Sequence, residues 1–184
     1  MLKRVTWKLD GVLSVKLRDN LYTLAQMREN SLMQFFDIRS SDGQWHDLDL
    51  SAVEPLFCIY VAEARMKPIL DAVVKESMVK PNLRAIPRRM LSSRPLVDSK
   101  YKSTVNLVEL DDSYQILNAK LLKSNLVPST DSADLQRYEL AGMWGSPEQL
   151  ATRLIRYFDS GVDWNDTKSY IFGDDLRPPS LKSS

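Results

Sequence analysis

The sequence predicts an α+β fold: a strongly bent antiparallel β-sheet or partly open β-barrel, with a short middle helix and a C-terminal helix packed on it. Three observations carry this. Apolar and polar residues alternate with period two through the first third of the chain. A fully apolar run, Leu56 to Ala62, marks a buried strand. A late segment, Ser146 to Gly161, has every signal of a capped amphipathic helix.

In order along the chain, Val5 and Trp7 alternate with polar neighbours. Leu13, Val15 and Leu17 then form one apolar face against Ser14 and Lys16. Asp19-Asn20 tolerates tight-turn conformations, so Leu21 to Met27 returns as the second strand of a hairpin. Leu32 to Ile38 is a third strand, followed by Asp42-Gly43, a strong turn signal. Trp45, Asp47 and Asp49 alternate with His46, Leu48 and Leu50, which predicts a fourth strand at a sheet edge. Leu56 to Ala62 reads as the central strand, buried on two faces. Pro68 stands at a plausible first helical position before Ile69, Ala72 and Val73, predicting the short middle helix over 67–77. Pro81, Pro87, Pro95, Ser92 and Ser93 break regular structure, so residues 80–102 read as a long exposed loop. Ser103 to Leu110 and Ser113 to Ala119 read as a second hairpin with an acidic turn. In the last helix Ser146 is the N-cap, Pro147 the first position, Gln149 the capping-box partner and Gly161 the stop. Residues 1–173 form one domain in this reading, and 174–184 a flexible C-terminal tail.

Composition narrows the function classes. With 184 residues the chain is long enough for a real core, and its single cysteine, Cys58, excludes an intrachain disulfide. A cytoplasmic location is expected. Lys8 and Asp10 interrupt any signal-peptide stretch, and seven apolar residues from Leu56 are too few to cross a membrane as a helix. The net charge of +1 hides an uneven distribution. Residues 76–103 hold seven basic groups (Lys80, Arg84, Arg88, Arg89, Arg94, Lys100, Lys102) against Glu76 and Asp98, whereas 104–184 hold twelve acidic against eight basic.

Catalytic and metal chemistry find little support. His46 is the lone histidine, so zinc of structural type lacks ligands and any histidine-based mechanism passes through one position. Cys58 sits in the most apolar run, where a thiol is packing rather than a nucleophile. None of the six glycines forms a phosphate-cradling loop, which removes the usual landmark of a nucleotide cofactor. Asp47 and Asp49 share one side of the expected strand, as a cation site or acid/base pair would need, but a solvated strand face gives the same pattern. No catalytic residue, metal site or cofactor is assigned. The basic stretch 80–102 is an alternative functional element, a nucleic-acid contact or regulatory module. Its single aromatic, Tyr101, leaves it poor in stacking partners.

The segment Leu9 to Met27, with Tyr22, Gln26 and Met27 in matching places, resembles the opening of immunity protein twenty-six, a family of bacterial polymorphic-toxin and contact-dependent inhibition systems. The segment from Ser146 to Trp164 is similar to that family's closing helix. Asp10-Gly11 stands in reverse order, and Lys16 and Ala25 replace a common proline and glycine. The resemblance implies an inhibitor that binds the C-terminal domain of a cognate toxin one-to-one, the toxin being of nuclease type, with no catalysis of its own. A charged, partner-specific rim would then be the functional part. Trp45 as an anchor and Asp47, Asp49, Asp111 and Asp112 as acidic contacts are the residues that side-chain type and charge suggest for it.

Overall fold

The computed structural model describes residues 6–97 and 99–181, so Val5 lies outside the described residues. In chain order the strands are β1 (Val12–Arg18), β2 (Leu21–Met27), β3 (Leu32–Phe36), β4 (Leu48–Asp49), β5 (Pro55–Tyr60), β6 (Leu70–Val74), β7 (Val79–Lys80), β8 (Arg89–Pro95), β9 (Ser103–Glu109) and β10 (Lys120–Lys123). The α-helices are α1 (Glu63–Met66), α2 (Pro128–Arg137), α3 (Pro147–Ser160) and α4 (Asp166–Phe172). The fold class is α+β, with an open antiparallel main sheet. The chain groups into two compact units, the residues up to Ile86 with Met143–Asp163, and Pro87–Gly142 with the residues from Trp164 onward.

The first unit is built on a five-stranded sheet of order β5-β3-β2-β1-β6. The β1–β2 hairpin forms where the alternation predicts it. Asn20 takes φ 61° in the turn, and a bulge at Leu17 shifts the register between Lys16 and Arg18. Leu13 and Val15 face Ala25, Met27, Met33, Phe35, Phe57 and Ile59 in one core cluster, closed by Leu150 and Leu154 of α3. Truncating either fully buried leucine to alanine costs about 2–5 kcal/mol. The α3 caps are those the sequence specifies: Ser146 accepts from the Gln149 amide, and Gly161 ends the helix at φ 72°.

The opposite face of the sheet is also covered, which the alternation of β1 did not reveal. Val12, Leu24 and Phe36 pack with Trp45, Leu50 and Val79. Beside them lies a buried polar cluster. Gln26 and Gln34 meet Asn82, which is fully buried, through Asn82 N to Gln26 Oε1 (2.7 Å) and Asn82 Nδ2 to Gln34 Oε1 (2.9 Å). Arg28 donates to the carbonyls of Asn82 (2.5 Å) and Arg84 (2.9 Å). Asn82 Oδ1 accepts from Arg84 N and Nε at 2.9 and 3.0 Å. Sheet-face and loop side chains thus hold the 82–84 segment over strands β2 and β3, satisfying groups that would be costly to bury alone.

Several sequence expectations are corrected. The run Leu56 to Ala62 is a strand, but β5 is at the sheet edge and β2 in the middle. Its burial on two faces is as expected: Phe57 and Ile59 pack in the cluster closed by α3, and Cys58 and Tyr60 on the other face are buried as well. The expected middle helix over 67–77 is a 3-10 turn followed by β6, which pairs with β1 through Leu13↔Val73 and Val12↔Val74. β-Branched Val73 and Val74 suit that edge better than a helix. The helix of this region is the single turn α1, just before it. The strand expected over Trp45 to Leu50 shrinks to β4, in parallel with β7. Trp45 is turned inward at 4 % exposure, its indole N–H donating to Ser14 Oγ (3.1 Å), so it is a core residue rather than a partner anchor.

In the second unit, the loop expected over 80–102 contains β8, whose Met90 and Leu91 are buried. β9 pairs with β8 along its whole length, and on its other side with β10, giving the order β10-β9-β8. The expected return strand Ser113 to Ala119 is instead a connection with a 3-10 turn at Ile116–Asn118, and the returning strand is Lys120–Lys123. Helices α2 and α4 complete this unit, with Leu135, Ile171 and Phe172 buried. Leu176 is buried as well, and Asp175 accepts from Tyr101 Oη (3.0 Å), so these residues of the expected tail have defined partners.

Candidate protein-binding surface

Of the acidic residues singled out by sequence, Asp47 and Asp49 lie in the first unit and Asp111 and Asp112 in the second. Asp47 takes φ 50°, and both Asp47 and Asp49 are exposed beside a small cleft of about 170 Å³ shared with Glu76 and Lys80. Asp49 is occupied locally, capping a 3-10 turn by accepting from Ser51 N (2.8 Å). Among the described residues no group of three or more His, Cys, Asp or Glu is arranged to hold a metal ion. His46 is exposed and Cys58 buried in β5 opposite Gln34.

Asp111 and Asp112 belong to a more elaborate arrangement, the connection from β9 to β10. Ser113 Oγ donates to Asp111 Oδ1 at 2.6 Å and holds that carboxyl below its usual range, so Asp111 is ionised at neutral pH. Asp112 pairs with Arg88, whose guanidinium also lies over the Tyr114 ring at 5.6 Å. Tyr114 itself is at φ 52°, a conformation that costs a non-glycine residue about 1 kcal/mol and is held here by its turn bond to the Asp111 carbonyl (3.1 Å). Acidic side chains are thereby fixed at the head of the connection.

The remainder of the connection and β10 expose apolar side chains. Leu117 is 91 % exposed, Leu121 56 % and Leu122 37 %. All four residues of β10 are exposed, so the strand buries neither face. Its anchoring is through the ladder to β9 and through Lys123, which pairs with Asp131 and, at 3.6 Å, with Asp134 of α2. Asp131 also accepts from Val127 N and Thr130 Oγ1, and with Lys123 these bonds hold its carboxyl down at about 2. The sequence analysis singled out the aspartates and not the leucines. The signal available was Leu-Leu between two lysines, apolar residues without an alternating partner face.

The basic stretch is less free than its composition suggests. Arg84 reaches Glu54 at 3.8 Å, Arg88 pairs with Asp112, Arg89 with Glu109 at 3.4 Å, and Lys100 with Asp175 at 2.7 Å. A family model described as a domain of unknown function (DUF8309) matches residues 2–176. No curated protein and no solved structure matches the chain.

Proposed function

The chain belongs to the DUF8309 family, and we propose that it is a cytoplasmic immunity protein that neutralises a cognate toxin domain by binding it one-to-one. The observation that carries this reading is the β9–β10 connection with its strand, where the exposed leucines Leu117, Leu121 and Leu122 come after the fixed acidic pair Asp111-Asp112. Exposed large apolar residues in an ordered segment, rimmed by charge, are the composition of a protein-binding surface. The exposed Asp111 carboxylate, held by Ser113, steers a basic partner, such as the substrate cleft of a nuclease-type toxin, and speeds association, whereas Asp112 is answered within the chain by Arg88. The immunity-family likeness of the opening hairpin supports the same class. There Gln26, one of the matching residues, is a buried polar anchor of the fold rather than a contact residue.

The nucleic-acid alternative loses ground on a specific observation: Arg84, Arg88, Arg89 and Lys100 face carboxylates of this same chain, which weakens the field available to a phosphate backbone. No helix among the described residues is long and apolar enough to cross a membrane. The test is to co-purify the protein with the toxin domain encoded beside its gene. A one-to-one complex by light scattering, with the toxin's activity lost on complex formation, is expected. Elution as two separate species, with the toxin fully active, would overturn the proposal.

A further inference from the structure

Among the described residues β10 is an edge strand with no further strand paired to it. It is the terminal strand of the order β10-β9-β8, and alternate backbone amides and carbonyls of such a strand point outward, away from its one partner. Edge strands of this kind are normally kept short and charged to prevent accidental pairing, and β10 has four residues, a register shift between Leu121 and Lys123, and a lysine at each end. Yet it also carries two leucines, Leu121 56 % and Leu122 37 % exposed, which a purely protective edge would not need.

The charge pattern says what such an edge accepts. Antiparallel pairing with a second copy would set Leu121 against Leu122, but Lys120 against Lys123 at both ends, and like charges directly opposite one another destabilise a ladder. Lys123 is already held by Asp131 and Asp134, whereas Lys120, opposite Glu109 in β9, is exposed at the start of the strand. The complementary strand is therefore one with two apolar residues flanked by acidic ones, its acid meeting Lys120. We propose that β10 is a docking edge on which an extended segment of a partner protein, apolar at its centre and acidic at its flank, adds as a fourth strand to the β10-β9-β8 sheet. The inference rests on the reading of this chain as a protein binder and names the segment it captures.

The experiment uses the full chain labelled with ¹⁵N and three synthetic capped peptides: Thr-Glu-Val-Val-Glu-Thr, its counterpart with lysine for glutamate, and the acidic peptide N-methylated at alternate amides. The acidic peptide is expected to shift the amides of Lys120 to Lys123 and of β9, and to bind about threefold more tightly than the lysine peptide, the size of one cross-strand charge pair. The N-methylated peptide is expected to leave those amides unmoved. Leu121→Asp, at an exposed position, should retain the dispersed spectrum of the folded chain and lose the acidic peptide. Unmoved β10 amides with the acidic peptide, equal binding of acidic and basic peptides, undiminished binding of the N-methylated peptide, or a concentration-dependent dimer abolished by Leu121→Asp would each overturn the proposal. A toxin complex that forms equally well with Leu121→Asp would sink this docking edge while leaving the immunity reading intact, and failure of the toxin complex alone would do the reverse.

Discussion

Replacing Asn82 by alanine tests whether the polar cluster on the sheet is what holds the 82–84 segment down. The side chain is fully buried and makes one donor bond, to Gln34 Oε1 (2.9 Å), and two acceptor bonds, from Arg84 N (2.9 Å) and Arg84 Nε (3.0 Å). Each such bond contributes about 0.5–1.5 kcal/mol net, and stranding a buried partner costs about 1–3 kcal/mol. Gln34 Oε1 would retain only Arg28 Nη1 at 3.5 Å, so the substitution is expected to destabilise the first unit by about 3 kcal/mol. Urea unfolding of a chain that keeps Trp45 and carries Trp7→Phe, Trp144→Phe and Trp164→Phe, followed through the fluorescence of buried Trp45 on the same sheet face, measures it. At a slope of about 2–3 kcal/mol per molar, the midpoint should fall by about 1–1.5 M. Ser51→Ala is the internal control. It deletes a single exposed bond from Leu83 N (3.1 Å) to the same segment and should cost about 0.5 kcal/mol. Midpoints for the two variants that coincide would refute the reasoning, because the cluster would then contribute no more than one surface bond.

Acid should loosen the β10 anchor. Asp131 is held at about 2 against an ordinary value of 3.8, so its contribution is complete above about pH 4 and is lost as pH falls toward 2. Allowing for screening at half-exposed Lys123, that contribution is about 1–2 kcal/mol, and it should disappear from acid unfolding curves of Asp131→Asn. The α3 caps are separable: Ser146→Ala should cost about 1 kcal/mol through the lost bond to Gln149 N, and Gly161→Ala about 1 kcal/mol through its φ of 72°, since a Cβ there meets nothing within 4 Å. Both are read as falls in thermal midpoint. Leu117→Asp, at a position 91 % exposed, should leave the midpoint within about 1 °C and weaken the toxin complex about tenfold or more, as calorimetry would register.

Local pattern accounts for the parts of the fold that sequence reading reached. The β1–β2 hairpin needs only alternation and an Asp-Asn turn, and α3 needs only a serine, a proline, an apolar stripe and a glycine, all within a few residues of one another. The α+β class comes from those elements together, and the acidic pair Asp111-Asp112 is legible as charge at a turn.

Tertiary structure decided everything whose reason lies far away in the chain. Lys67 to Ser77 has a helical apolar spacing, but β1 offered an unpaired edge and the valines took it. Trp45 looks like an anchor on a strand until Ser14, 31 residues earlier, supplies the partner for its indole in a second core. Asn82 is an ordinary loop residue by sequence, and it becomes a buried pin only because Gln26 and Gln34 stand on the sheet beneath it. The exposure of Leu121 and Leu122 is likewise a tertiary fact. Their apolar character is written in the chain, whereas only the packed unit leaves all of β10 exposed to solvent.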